Sequence, residues 1–140
     1  MERIKADITR ADCWYEEAHM RLDHAIVPAK NKDETARFFI DILGFEPGDD
    51  LADARFVHVN DTLTLRCDEK YSDHVHLAFY VSDDELAQVI KRAQAAGTPY
   101  GSRARSDDNQ LGQYGGGPRL YFSDPGGNSI ELVTIPTLRH

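Results

Sequence analysis

Three observations predict an α+β fold. NKDETARFFIDILGF and SDDELAQVIKRAQAAG each begin with capping residues and carry apolar side chains at helical spacing. A short alternating segment precedes each of them, and further alternating segments follow. The order strand, helix, strands therefore occurs twice along 140 residues, enough chain for one core.

In the first half, LDHAIVPA starts at Leu22 and reads as a strand. Alternation puts Ala25 and Val27 on one face, His24 and Ile26 on the other. Asn31 and Glu34 have capping-box spacing; Ala36, Phe39, Ile40 and Leu43 form the stripe, and Gly44 is the stop signal. A polar turn follows, then ARFVHV and TLTLRC as two strands joined at Asn60 and Asp61.

The second half begins with HVHLAFYV as a strand from His74 to Val81. Ser82 and Glu85 open the second helix, Leu86, Val89, Ile90 and Ala93 form its stripe, and Gly97 ends it. A Gly-rich polar segment, Tyr100 to Pro118, leads to PRLYF, the turn SDPGGN and a last strand, SIELVTI. Residues 22–134 are thus one domain, with modules of about 22–70 and 74–134. Residues 1–21 are read as an N-terminal arm and 135–140 as a C-terminal tail.

The totals exclude some classes. With 16 basic and 24 acidic side chains the net charge is -8, and no basic cluster offsets it, so nucleic acid is not the expected partner. Cys13 and Cys67 are too few for a disulfide scaffold. No long apolar run follows MERIKADITR, so neither a signal peptide nor a membrane span is expected and a cytoplasmic location is.

Three polar residues interrupt apolar strands: His24, His76 and Glu131. Two imidazoles and a carboxylate make a facial set that suits a divalent metal with open positions, provided the three polar faces converge. Taken singly, His24 also reads as a hydrogen-bonded histidine at a strand start, and Glu131 as part of a solvated sheet face. Alternation adds His58, Thr64, Arg66, His74, Tyr80, Arg119 and Tyr121 to the same faces, with Val57, Leu65, Phe79 and Leu120 opposite. The Gly-containing segment SRARSDDNQLGQYGGG is placed to cover such a pocket or to be an ordinary surface loop.

The ordered set LDHAIVPAKNKDETARFFIDILGF, HVHLAFYV and LYFSDPGGNSIELV resembles the vicinal oxygen chelate superfamily. Glyoxalases, bleomycin-binding proteins, fosfomycin-modifying transferases and extradiol dioxygenases belong to it. The resemblance implies two βαβββ modules whose curved mixed sheets enclose a cavity, commonly completed in a homodimer. It places the metal ligands at His24, His76 and Glu131, with Fe, Mn, Ni, Co or Zn as the ion. Tyr121, Arg119 and His74 are then the catalytic candidates around a small substrate with adjacent oxygens. Isomerase, lyase, dioxygenase and transferase reactions all remain open. Glyoxalase I usually adds a carboxylate from the strand resembling TLTLRC, where Thr64 is read as its counterpart. Metal-free binding or sequestration of a small molecule is the alternative reading, and a structural or interaction protein is a third class.

Overall fold

A computed structural model describes residues 20–136 of the chain. All of the expected arm except Met20 and Arg21, and the tail beyond residue 136, lie outside the described residues. The first module comprises β1 (His24–Pro28), α1 (Lys32–Asp41), β2 (Glu46–Asp50), β3 (Ala54–His58) and β4 (Thr64–Asp68). The second comprises β5 (His76–Tyr80), α2 (Asp83–Ala96), β6 (Gly112–Tyr114), β7 (Gly117–Ser123) and β8 (Ser129–Val133). Each module is βαβββ, as expected.

The two four-stranded sheets have matching orders, β1-β4-β3-β2 and β5-β8-β7-β6. In each, the first strand pairs parallel with the last and the other pairs are antiparallel. Neither sheet is strongly curled, in contrast to the curved enclosure the resemblance implies. Four strands of three to seven residues can twist, but they are too few and too short to close round a cavity.

Both helices start where their capping residues stand. Asn31 Oδ1 accepts from the backbone N–H of Asp33 and Glu34, at 3.0 Å each. At α2 the full capping box forms between Ser82 and Glu85, and Gly97 closes the helix in the left-handed region. Phe38 lies outside the expected stripe yet is buried, because α1 faces both modules. Its ring packs edge-on against Phe122 of β7 at 5.5 Å, while Phe45 meets Phe79 of β5 at 5.4 Å. Val27, Val57 and Leu65 join Leu120, Ile130 and Leu132 in one shared core.

Two strands appear where the sequence suggested turn or loop. The segment expected as a polar turn contains β2, EPGDD, at the sheet edge. Its proline needs no ladder partner there, and its register shifts between Pro47 and Asp50. Gly48 lets it approach β3, since a Cβ would stand 2.9 Å from both His58 Nε2 and Phe56 Cβ. In the Gly-rich segment, β6 pairs with β7 across the turn Gly115–Gly116. The remainder is tied down: Gly101 exchanges two backbone hydrogen bonds of 2.9 Å with Tyr121.

The modules are fastened at the β7–β8 turn. Asn128, fully buried, donates from Nδ2 to the Pro28 carbonyl at 2.8 Å and to Asp124 Oδ2 at 2.8 Å. Its Oδ1 accepts from Val75 N–H at 3.0 Å. Asp124 Oδ1 accepts from the backbone N–H of Gly126 and Asn128, at 2.9 Å each. Burial raises the Asp124 carboxyl above its ordinary value, against these hydrogen bonds, which favour the ion. Gly126 must lack a side chain, because a Cβ would lie 2.9 Å from the Pro28 oxygen.

Asn128→Ala orphans a buried carbonyl and a half-buried N–H and weakens the support of a buried carboxylate. The expected loss of stability is on the order of 3 kcal/mol in urea denaturation; a loss below about 1 kcal/mol would show the modules hold without this side chain. Cys67, fully buried, gives a pH prediction. Burial, helped by the Asp124 charge, pushes its thiol up to about 12 from an ordinary 9.0. The folded state therefore keeps a proton that the unfolded state releases, so this contribution to stability is intact below pH 9 and declines as pH rises towards 12. Comparing alkaline denaturation of Cys67→Ala with the parent should show a shallower decline in the variant.

Candidate functional site

Because each strand turns one face to the shared core, its other face is left to polar side chains. On the second sheet these are His76 from β5, Arg119 and Tyr121 from β7, and Glu131 from β8. His76 Nε2 stands 2.9 Å from Glu131 Oε1. With the carboxylate ionised, the ring donates from Nε2. Arg119 Nη1 lies 3.7 Å from the other carboxylate oxygen, and its guanidinium covers the Tyr121 ring at 5.2 Å. Tyr114, not anticipated from sequence, lies 5.9 Å from the same guanidinium. Glu131 is only 8% exposed, so it is a buried carboxylate held by two partners beside a ring that reaches solvent.

Burial first, then the neighbouring Glu131 charge, raise the Tyr121 phenol above its ordinary value of 10.0, while Arg119 acts the other way. The phenol is therefore a hydrogen-bond donor near neutral pH. Tyr121 pairs with Glu131 in register, and its ring centroid is 6.1 Å from that of His76. Tyr80 lies on the same strand face and is exposed.

On the first sheet, His24, Phe56, His58, Thr64 and Arg66, with Asp23, line a separate concavity of about 370 Å³. Asp23 Oδ2 lies 2.9 Å from His24 Nδ1. A proton held there leaves Nε2 with a free lone pair, the form in which a histidine binds a metal. His58 Nδ1 is 2.8 Å from Thr64 Oγ1. Among the described residues no three His, Cys, Asp or Glu side chains group closely enough to hold a metal. The structure thus brings His76 and Glu131 together and leaves His24 on the other sheet.

His74 falls outside the strand expected from His74 to Val81, because β5 begins only at His76. Its Nε2 lies 3.0 Å from where a Cβ on Gly127 would stand, which places the ring over the β7–β8 turn. The register also moves one correspondence. His24 pairs with Thr64 as His76 pairs with Ser129, so the counterpart of Glu131 in β4 is Arg66 rather than Thr64. Their neighbours correspond too: Phe56 pairs with Arg66, and Tyr121 with Glu131. Asp68, one strand alternation beyond Arg66 and buried, accepts from Arg66 Nε at 2.7 Å. Shared parity with Arg66 was the sequence signal for it.

Two βαβββ modules with matching strand orders, packed on one shared core, define the class of fold. The chain belongs to the Glyoxalase/Bleomycin resistance protein/Dioxygenase superfamily, whose model matches residues 21–132. No curated protein matches by sequence. Among solved structures, Oxidase ChaP-H2 is 30% identical, with a TM-score of 0.73 over 84% of this chain and 94% of that one. Oxidase ChaP-H1 is 29% identical, with a TM-score of 0.73 over 84% and 98%. Lactoylglutathione lyase from Agrobacterium tumefaciens shares the fold at 19% identity, with a TM-score of 0.66 over 81% and 92%.

The Tyr121 environment is open to a direct test. Glu131→Gln removes the second cause of its raised pKa and leaves burial in place, so phenol ionisation should move down in pH. Ultraviolet titration reads this, with Tyr121→Phe identifying the transition. An unmoved transition would mean that the carboxylate does not act on the phenol.

Proposed function

We propose that this chain is a divalent-metal-dependent enzyme that oxidises a small substrate presenting two neighbouring oxygens. His24, His76 and Glu131 are its metal ligands, and two copies of the chain complete the site. The observation that carries the reading is the convergence of His76 and Glu131 at 2.9 Å on paired strands, with His24 in the corresponding place on the other sheet. The donor set fits: one buried carboxylate and two histidines, each able to offer an imidazole nitrogen. Each chain supplies one His76–Glu131 half and one His24 half, and a two-fold dimer would bring unlike halves together. The oxidative class is favoured over isomerisation by the names of ChaP-H2 and ChaP-H1, at 30% and 29% identity.

A bound divalent ion would supply Lewis acidity to two substrate oxygens and, if it is iron, one-electron chemistry with dioxygen. The chain's own residues do the rest. Glu131 offsets positive charge, and Arg119 holds that carboxylate from the far side. Tyr121 keeps its proton, and its phenol is placed to donate to Glu131 on the face that both share with His76. Metal-free binding of a small molecule is the second reading, favoured by the direct contact of His76 with Glu131.

Anaerobic titration with Fe(II) or Mn(II) should show a site that His24→Ala, His76→Ala and Glu131→Ala each weaken by at least about tenfold. Unchanged affinity in all three folded variants would sink the metal assignment. Mixing unfolded His24→Ala with Glu131→Ala and refolding them together should restore one intact site per mixed dimer; a monomer by light scattering would refute the shared site. Oxygen uptake with catechols or hydroxynaphthoates would support oxidation, whereas turnover of hemithioacetals without oxygen would replace it with isomerisation.

A further inference from the structure

The internal symmetry of the two sheets exposes an inversion of charge. Where the second sheet has Glu131 beside Tyr121, the first has Arg66 beside Phe56, at corresponding rungs. Arg66 is not a loose surface arginine. Its Nε donates to the buried Asp68 carboxylate at 2.7 Å, and the other Asp68 oxygen accepts from Lys70 N–H at 2.8 Å. The Phe56 ring lies beneath the guanidinium, 5.7 Å from centroid to Cζ. The side chain is thus held from two directions while 28% of it reaches solvent. Among the described residues, Asp68 is the sole carboxylate that pairs with it. Arg66 lines the concavity that His24, Phe56 and Thr64 also line.

A guanidinium held in this way is half of a recognition device. One edge is fixed by Asp68, and the remaining N–H groups present the planar fork that carboxylates and phenolates match. We propose that Arg66 anchors an anionic oxygen group of the substrate, and that the substrate is an aromatic monoanion whose ring packs beside Phe56. This rests on the reading above, in which the His24 face is part of the site. Among the described residues lining the concavity, Arg66 is the one guanidinium, already balanced in part by Asp68, with Asp23 also in the lining, so it offers a fork for one oxyanion. An aromatic carboxylate or phenolate supplies that oxyanion and brings apolar area for Phe56 as well.

The test uses the whole chain and four probes: 1-naphthoate and 1-naphthol for the two monoanion sources, 1-naphthamide as the neutral match and 1-naphthyl phosphate as the dianion. Binding is read by calorimetry or fluorescence, with and without Mn(II), at a pH that ionises the probe concerned. We expect naphthoate or naphtholate to bind at least tenfold more tightly than the amide, and the phosphate to gain nothing over them. Arg66→Met alone would strand the buried Asp68 carboxylate and risks misfolding. The informative variants are therefore Arg66→Met with Asp68→Asn, and Arg66→Lys, each checked by circular dichroism. The double variant should lose the preference for the anion while keeping its affinity for Mn(II); Arg66→Lys should recover part of it. Equal binding of anion and amide, no binding of either, or a preference that survives in the folded double variant would overturn the proposal. Loss of Mn(II) binding by the parent, with the anion preference intact, would instead refute the metal reading and leave Arg66 as the anchor of a binding protein.

Discussion

The structure depends on a buried amide. Asn128 reaches the end of β1, the residue before β5 and the Asp124 carboxylate with one side chain. A buried donor or acceptor without a partner is costly, and Pro28 and Asp124 are both buried while Val75 is half-buried. The turn can approach Pro28 so closely only because Gly126 presents no Cβ. This fixes where β1 ends against the second module and where β5 begins. His24 and His76, at the starts of those two strands, inherit their positions from it.

The second constraint is strand alternation. Val27, Leu65, Leu120, Ile130 and Leu132 fill a core shared by both modules, so the residues between them must face away from it. Duplication then offers two polar faces on one scaffold, and the sequence has made them chemically different. One carries a carboxylate held by a histidine and an arginine; the other carries a histidine, a His58–Thr64 pair and an arginine held by a buried carboxylate. The two sheets share no ladder, and within one chain no three potential ligands from them come together among the described residues. A site drawn from both faces, as proposed, would take its halves from two copies of the chain.

Much of this was legible in the sequence because it depends on local rules. Asn31, Ser82, Glu85 and Gly97 act through neighbours within a few residues, so both helices could be read from capping and periodicity. Alternation likewise assigned Ala25, Val27, Leu65 and Leu120 to the buried side. It failed at β2, where Glu46, Pro47 and Gly48 carry no strand preference, and at β6, three residues inside a glycine-rich stretch. Those strands exist because a neighbouring strand supplies their hydrogen bonds, and a ladder partner lies beyond any local pattern. Phe38 was overlooked for a similar reason: a helix that faces two modules buries more than one stripe.

The sequence by itself determined the duplicated plan, the helices, the buried faces and, through resemblance, which residues to examine as ligands. Only the tertiary structure decided which of them meet. His76 and Glu131 are 55 positions apart and converge through the parallel pairing of β5 with β8, while His24 takes the same place on a sheet with no ladder to theirs. Register, not spacing, also made Arg66 rather than Thr64 the counterpart of Glu131, and it brought Asp68 and Phe56 to the guanidinium. Periodicity reports the direction in which each side chain leaves its own strand. Which strand lies alongside, and in what register, is fixed by core packing and by the hydrogen bonds of distant segments.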